Sequence, residues 1–288
     1  MTCRGAKSSA LGAVILVGLA VAILLGFVRA ASANEVFIPN FWDPRARIER
    51  PEFLTNRTIR FLTDVEFPPL HFAGPDGNPT GFTVELARAI CEKLSLTCTV
   101  QARRFDTLLD ALSEGRGDVV AAAVPVTAEL RQRFGVTHPY FRIPARFAAL
   151  KDKNVPGFNA ATLAGRKVGV VADTAHDAYL SGLFPGAVRQ AFPNLVQAQE
   201  ALRRGEIDYL FADALSLALW IGGTASADCC TFVGGPFLES RYFGEGIGFV
   251  VRTEDETLRQ AIDYALQRLW DEGKYQELYL RFFPFSPF

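Results

Sequence analysis

Two aspartates in this 288-residue chain close short apolar runs: Asp64 ends IRFLTD and Asp213 ends IDYLFAD. A carboxylate at the carboxyl end of a strand is placed to hold a cation through a charge-assisted hydrogen bond. Asp213 also stands directly before ALSLALW, where aspartate serves as a helix N-cap, and one side chain can do both. Phe67 and Phe105 likewise follow strand ends, either near a ligand or as core rings. Between these positions the stretch DVVAAAVPVTAELRQR, 118–133, runs from a strand into a helix and carries Leu130 and Arg131.

Catalysis would need an acid or base poised in a cleft. Glu66, Asp173 and His176 are the candidates, and none stands in a catalytic constellation. Ser181 and Ser216 have no visible partners. The three histidines, His71, His138 and His176, are scattered and read as surface or packed residues rather than metal ligands. No cysteine and histidine cluster has zinc spacing, and no G-x-x-x-x-G-K-[ST] loop would hydrolyse ATP. The expected chemistry is non-covalent capture of a small molecule, without cofactor, metal or enzymatic activity.

Such residues need a scaffold, and the remaining text supplies one. With 49% hydrophobic and 21% charged residues the chain can bury a sizeable core. Short apolar runs alternate with amphipathic stretches: IRFLT, GFTVELARAICEKL, CTVQAR, DTLLDALSEG, DVVAAAV, TAELRQRF. That order predicts a mostly parallel sheet with crossover helices. A second series from ATLAGR through KVGVVAD, VRQAF and IDYLFAD to CCTFVGGPF predicts another α/β unit, and GEGIGFVVR with two helices is left over at the end. The chain therefore crosses to a second lobe and returns, which places ligands in the crevice between lobes.

The expected boundaries are a signal over 1–33, an irregular N-terminal extension over 34–57, a first lobe over 58–148 plus 247–288 and a second over 149–246. Arg4 and Lys7, the apolar run Leu11 to Val28 and Ala31-Ser32-Ala33 form an export signal with cleavage before Asn34. The 18-residue run also approaches the length of an uncleaved membrane anchor. Either way the globular part is expected outside the cytoplasm, in the periplasm. In the extension, three prolines and mixed charge give no period, and Phe41 and Trp42 are expected to pin it to the body. Past residue 33 there are 27 basic and 31 acidic side chains, a formal −4, which speaks against a nucleic-acid partner.

Four cysteines remain after the signal. Cys91 and Cys98 flank a helix-to-strand return that brings two Cα atoms within disulfide reach. The adjacent Cys229 and Cys230 are either paired thiols or a vicinal disulfide.

In their order and spacing, TDVEFPPLHF, GFTVELARAI, FDTLLDALSEGRGDVV, VTAELRQRFGVTHPYF, LAGRKVGVVADT, EALRRGEIDYLFAD and GIGFVVR resemble the extracellular solute-binding proteins of family 3. These are receptors of ABC importers for polar amino acids. The resemblance implies an α/β, two-lobed periplasmic-binding-protein fold of type II, with two hinge strands and a ligand trapped as the lobes close. It implies a monomer whose partners are a small solute and a membrane permease, or alternatively a membrane sensor. A dehydratase-like enzyme on the same fold is a further alternative. The cysteine pair 91 and 98 resembles a disulfide of some basic-amino-acid receptors.

The resemblance assigns ligand contacts position by position. Aromatics at Phe67 and Phe105 cover the ligand, Asp213 holds its amino group and Asp64 lies beside it. At the family's AGxTITxxR this chain has Ala122, Ala123, Pro125, Thr127 and Leu130, so the arginine that clamps a carboxylate is missing. Pro125 also removes a hydroxyl and an N–H donor. Arg131, about 100° around the helix, substitutes only if it bends back, and Arg142 is another substitute. Where the family has GTT, Asp173, Thr174 and Ala175 stand. The amides of Thr174 and Ala175 can still donate, while Asp173 reads as a helix cap that opposes an anion. These departures predict a cationic or amphipathic ligand that is not a standard free α-amino acid, unless Arg131 or Arg142 restores the clamp.

Overall fold

The run TIRFLT forms the strand Thr58–Thr63, whose residues from Phe61 onward are all buried, as befits a strand with parallel neighbours and covered faces. The computed structural model describes residues 38–40, 48, 51, 57–153 and 158–283. The export signal and the ring contacts expected of Phe41 and Trp42 lie outside the described residues.

Two five-stranded sheets repeat one arrangement. The first has the order Thr97–Ala102, Thr58–Thr63, Val119–Val120, Val250–Val251, Gly135–Val136, and the second Val188–Phe192, Lys167–Val171, Tyr209–Asp213, Ala145–Leu150, Cys230–Phe237. In each the first three strands are parallel and the fourth runs antiparallel to both neighbours. The leftover strand of the sequence, Val250–Val251, is thus the piece that returns to the first sheet. Ala145–Leu150 lies wholly in the second sheet, so the change of sheet falls ahead of the boundary expected after residue 148.

Helix periodicity fixes the covering layer. In the helix Phe82–Leu94, residues Phe82, Leu86, Ala89 and Ile90 are buried, an apolar stripe at a period of 3.6. Phe82 meets the rings of Tyr140, Tyr275, Tyr279 and Phe283 at centroid distances of 5.4–6.4 Å. This cluster ties the C-terminal helix Lys274–Phe282 to the first lobe, and the helix Glu256–Asp271 adds Leu258, Ile262 and Leu266 to the same core. In the second lobe Phe147 stacks on Phe211 at 4.3 Å, with Tyr179 5.5 Å from Phe211.

Cys91 and Cys98 are bridged, with Cα atoms 6.2 Å apart. Cys229 and Cys230 form the vicinal disulfide, directly after Ala227 and Asp228 at φ 51° and 57°. The N-terminal extension touches the body where it is described: the Ile48 amide donates to Gln267 Oε1 at 3.2 Å, and Arg57 pairs with Asp118 and Asp255.

Candidate functional site

Two chain crossings run side by side between the sheets. The Ile247 amide donates to the Phe141 carbonyl at 2.7 Å, and Tyr140 N to the Ile247 carbonyl at 2.9 Å. The returning segment passes close to the first lobe at Gly244 (φ +73°) and Gly246 (φ +131°), where a Cβ would stand 2.9 Å from the Val126 oxygen and 2.6 Å from the Phe141 oxygen. Only glycine fits such positive-φ positions with the backbone so near.

Beside these crossings lies a cavity of about 320 Å³. Ala123, Pro125 and Thr127 of the first lobe border it, as do Ile143 and Ile247 of the crossings. The second lobe contributes Ala175, His176, Asp213, Tyr242 and Phe243. Among the described lining residues Asp213 is the single formal charge, and no lysine or arginine borders the space.

Asp213 is the helix cap its position predicts, and it also borders the cavity. Its Oδ1 accepts from the Ser216 amide at 2.8 Å, capping the helix Ala214–Gly222. His176 lies 5.6 Å from the Phe211 ring and 5.2 Å from the Phe243 ring. Burial pushes its imidazole below the ordinary histidine range, against the upward pull of the Asp213 carboxylate. At neutral pH the site therefore offers one carboxylate beside an uncharged imidazole.

Several expected contacts go elsewhere. Asp64 is only 4% exposed and does not border the cavity. His71 Nε2 accepts from the Ala123 amide at 3.0 Å, so the ring proton sits on Nδ1, which stands 3.0 Å from Asp64 Oδ1. His71 thus braces the segment that carries Ala123, with Asp64 beside it, and the Ala123 amide is already engaged. Ala122 is fully buried in the core. Leu130, at the clamp position, is 7% exposed and packs with Val124, Val126 and Phe134. Arg131 does not bend back: its guanidinium binds Glu245 Oε2 at 2.7 and 3.1 Å, outside the cavity. Arg142 does not border the cavity either.

The cap at the second lobe's first helix is Thr174 and not Asp173. Thr174 Oγ1 accepts from Asp177 N at 3.3 Å and donates to the Val171 carbonyl at 2.8 Å. Asp173 is an exposed residue at φ +59°, whose amide donates to Asp177 Oδ2. A left-handed turn residue cannot present the extended backbone of an N-cap, which is why the role moves one place on. Phe67 packs 5.8 Å from the His71 ring, while Phe105 is 48% exposed, and neither borders the cavity. The sequence reading missed Ile143, Tyr242, Phe243, Gly244, Gly246 and Ile247 as cavity walls. The signal was RYFGEGIG, an aromatic pair followed by alternating glycines.

The sequence profile of the bacterial extracellular solute-binding proteins, family 3, matches residues 59–285. The chain belongs to this family. The L-arginine-binding protein of Pseudomonas aeruginosa is 30% identical over 82% of this chain and 92% of its own length. An ancestral arginine-binding protein bound to arginine superposes with a TM-score of 0.57 at 28% identity, covering 78% of this chain and 98% of that one. Substrate-binding domain 2 of Lactococcus lactis GlnP, in an open conformation, gives 0.70 at 20% identity and shares the fold, covering 81% and 97% of the two chains. This family 3 protein is thus a two-lobed, type II solute-binding receptor of the amino-acid type. Among its described residues no helix is long and apolar enough to cross a membrane.

Proposed function

We propose that this solute-binding protein is the exported, periplasmic receptor of an ABC importer and captures a small amine that carries no free carboxylate. The observation that carries the reading is the charge of the cavity: Asp213 alone, with Leu130 turned into the core and Arg131 held by Glu245. A carboxylate entering beside Asp213 would be desolvated without a countercharge, at a cost of several kcal/mol. An ammonium there gains a charge-assisted bond. Relatives named for binding arginine, a cationic amino acid, support a ligand that carries positive charge. The protein acts as a monomer, binds without turnover and passes its solute to a membrane permease.

The test is a thermal-shift panel of the purified protein against aliphatic and aromatic amines, polyamines, L-amino acids including arginine, lysine and histidine, and simple carboxylates. A ligand at 100 times its dissociation constant stabilises by about 2.7 kcal/mol, roughly 5 °C here. Shifts with amines support the reading, and the bound amine is recovered unchanged. Shifts confined to free amino acids contradict it.

A further inference from the structure

The cavity at the crossings is not the only space that reaches Asp213. A second crevice of about 410 Å³ lies at the carboxyl ends of the second lobe's strands, and it too is bordered by His176 and Asp213. The two spaces thus share one carboxylate and one uncharged imidazole. They differ in what else they offer. The first has the apolar walls of Ile143, Tyr242, Phe243 and Ile247. The second is bordered by Thr174 and Asn194 beside apolar residues such as Pro193 and Leu195.

The polar groups of the crevice are unequal. The Thr174 hydroxyl is engaged with Val171 and Asp177. Asn194 Oδ1 caps the helix Leu195–Arg203, accepting from Gln197 N at 3.0 Å. The carboxamide keeps its NH₂ donors for whatever enters. As in the first space, no lysine or arginine borders it among the described residues. The crevice therefore has a neutral donor for an acceptor atom and no countercharge for an anion.

Asp213 borders both spaces, so an ammonium held by its carboxylate can extend one substituent toward each. We infer that the ligand is a branched amine, its ammonium-bearing carbon carrying one apolar arm and one uncharged arm that accepts a hydrogen bond. An amino-acid amide, or the first residue of a short peptide, has this chemistry. The inference rests on the amine reading above and adds to it the second arm, with Asn194 as the residue that selects it.

Three ligands with one side chain test it by titration calorimetry on the full chain: phenylalaninamide, 2-phenylethylamine and phenylalanine. The first should bind about fivefold to tenfold more tightly than the second, the effect of one neutral hydrogen bond, and the third at least tenfold more weakly than the second. Asn194→Asp keeps the cap but loses the NH₂ donor. It should bring the ratio of the two amines to about one, since any added attraction for the ammonium acts on both. Amines that bind with a ratio near one in the unmodified protein, or a ratio untouched by Asn194→Asp, would overturn the second arm and leave the amine reading standing. Failure of both amines to bind would overturn the two together.

Discussion

Arg131 and Glu245 form a salt bridge, Nη2 to Oε2 at 2.7 Å, that ties the helix Ala128–Arg133 to the segment returning between the lobes. The basic side chain next to the missing clamp is thereby held on the outer surface. Both partners are well exposed, so the pair is worth under about 1 kcal/mol. Arg131→Ala should change ligand affinity by less than about twofold, an effect far below the loss of a charged contact. A large loss of affinity would show that Arg131 reaches the ligand.

Asp213 caps the helix Ala214–Gly222 and is the proposed cation partner, and Asp213→Asn separates the two roles. Asparagine caps a helix about as well as aspartate. Stability measured by chemical denaturation should therefore change by under about 1 kcal/mol. Affinity for the amine should fall roughly tenfold to a hundredfold, the scale of a hydrogen bond to a charged group.

The neutral state of His176 makes binding depend on pH. Burial lowers its folded pKa against the pull of Asp213, below the ordinary value of about 6.5. Its contribution to stability is therefore present above that ordinary value and is lost as pH falls through the depressed one. Protonated His176 would place a positive charge beside Asp213 and oppose a cationic ligand. Affinity should be level above about pH 6.5 and weaken at more acid pH. His176→Gln should flatten that slope in calorimetric titrations across the range.

Asp118 holds the base of the first lobe together. Its carboxylate is ion-paired with Arg57, Arg60 and Arg252 at 3.2, 3.0 and 3.4 Å. Burial works to raise its pKa, but hydrogen bonds from Arg60 and Arg57 outweigh it and hold the group well below the usual carboxylate range. The stabilisation is thus present above the unfolded value of about 3.9 and is lost as pH falls through the depressed folded one. Asp118→Asn should cost about 3 kcal/mol, because it leaves guanidinium groups without their shared partner. It should also remove this part of the acid sensitivity, read as the denaturation midpoint against pH.

The Cys91 to Cys98 bridge closes a short loop, seven residues apart in sequence. Loop-closure entropy assigns such a link about 2–3 kcal/mol. Replacing both cysteines by alanine should lower the melting temperature by roughly 5–8 °C.

The fold was legible because its signals are periodic: alternating apolar runs and amphipathic stretches fix sheet and helix order. Asp213 was legible for the same reason, since the end of an apolar strand run is a fixed place in an α/β sheet. Asp64 stands at an equivalent place, but His71, seven residues on and brought back by the hairpin of Glu66–Phe67 with His71–Ala73, stands 3.0 Å from it and away from the cavity. Both stand in TDVEFPPLHF, where neither residue type nor apolar period marks the hairpin that brings them together. Thr174 took the cap from Asp173 because Asp173 adopts a left-handed conformation, a choice invisible in residue type. The aromatic wall of Tyr242 and Phe243 comes from a short helix, Ser240–Phe243, too brief for periodicity to mark which side faces the cavity.

The most direct test of a cavity built for an amine without a carboxylate is a calorimetric titration at neutral pH with 3-methylbutylamine and with leucine, which differ only in the carboxylate. The amine should bind at least about tenfold more tightly, since tenfold corresponds to about 1.4 kcal/mol and an unpaired buried carboxylate costs more than that. Leucine binding as tightly as the amine, or more tightly, would contradict the account and mean that a carboxylate partner forms when the lobes close.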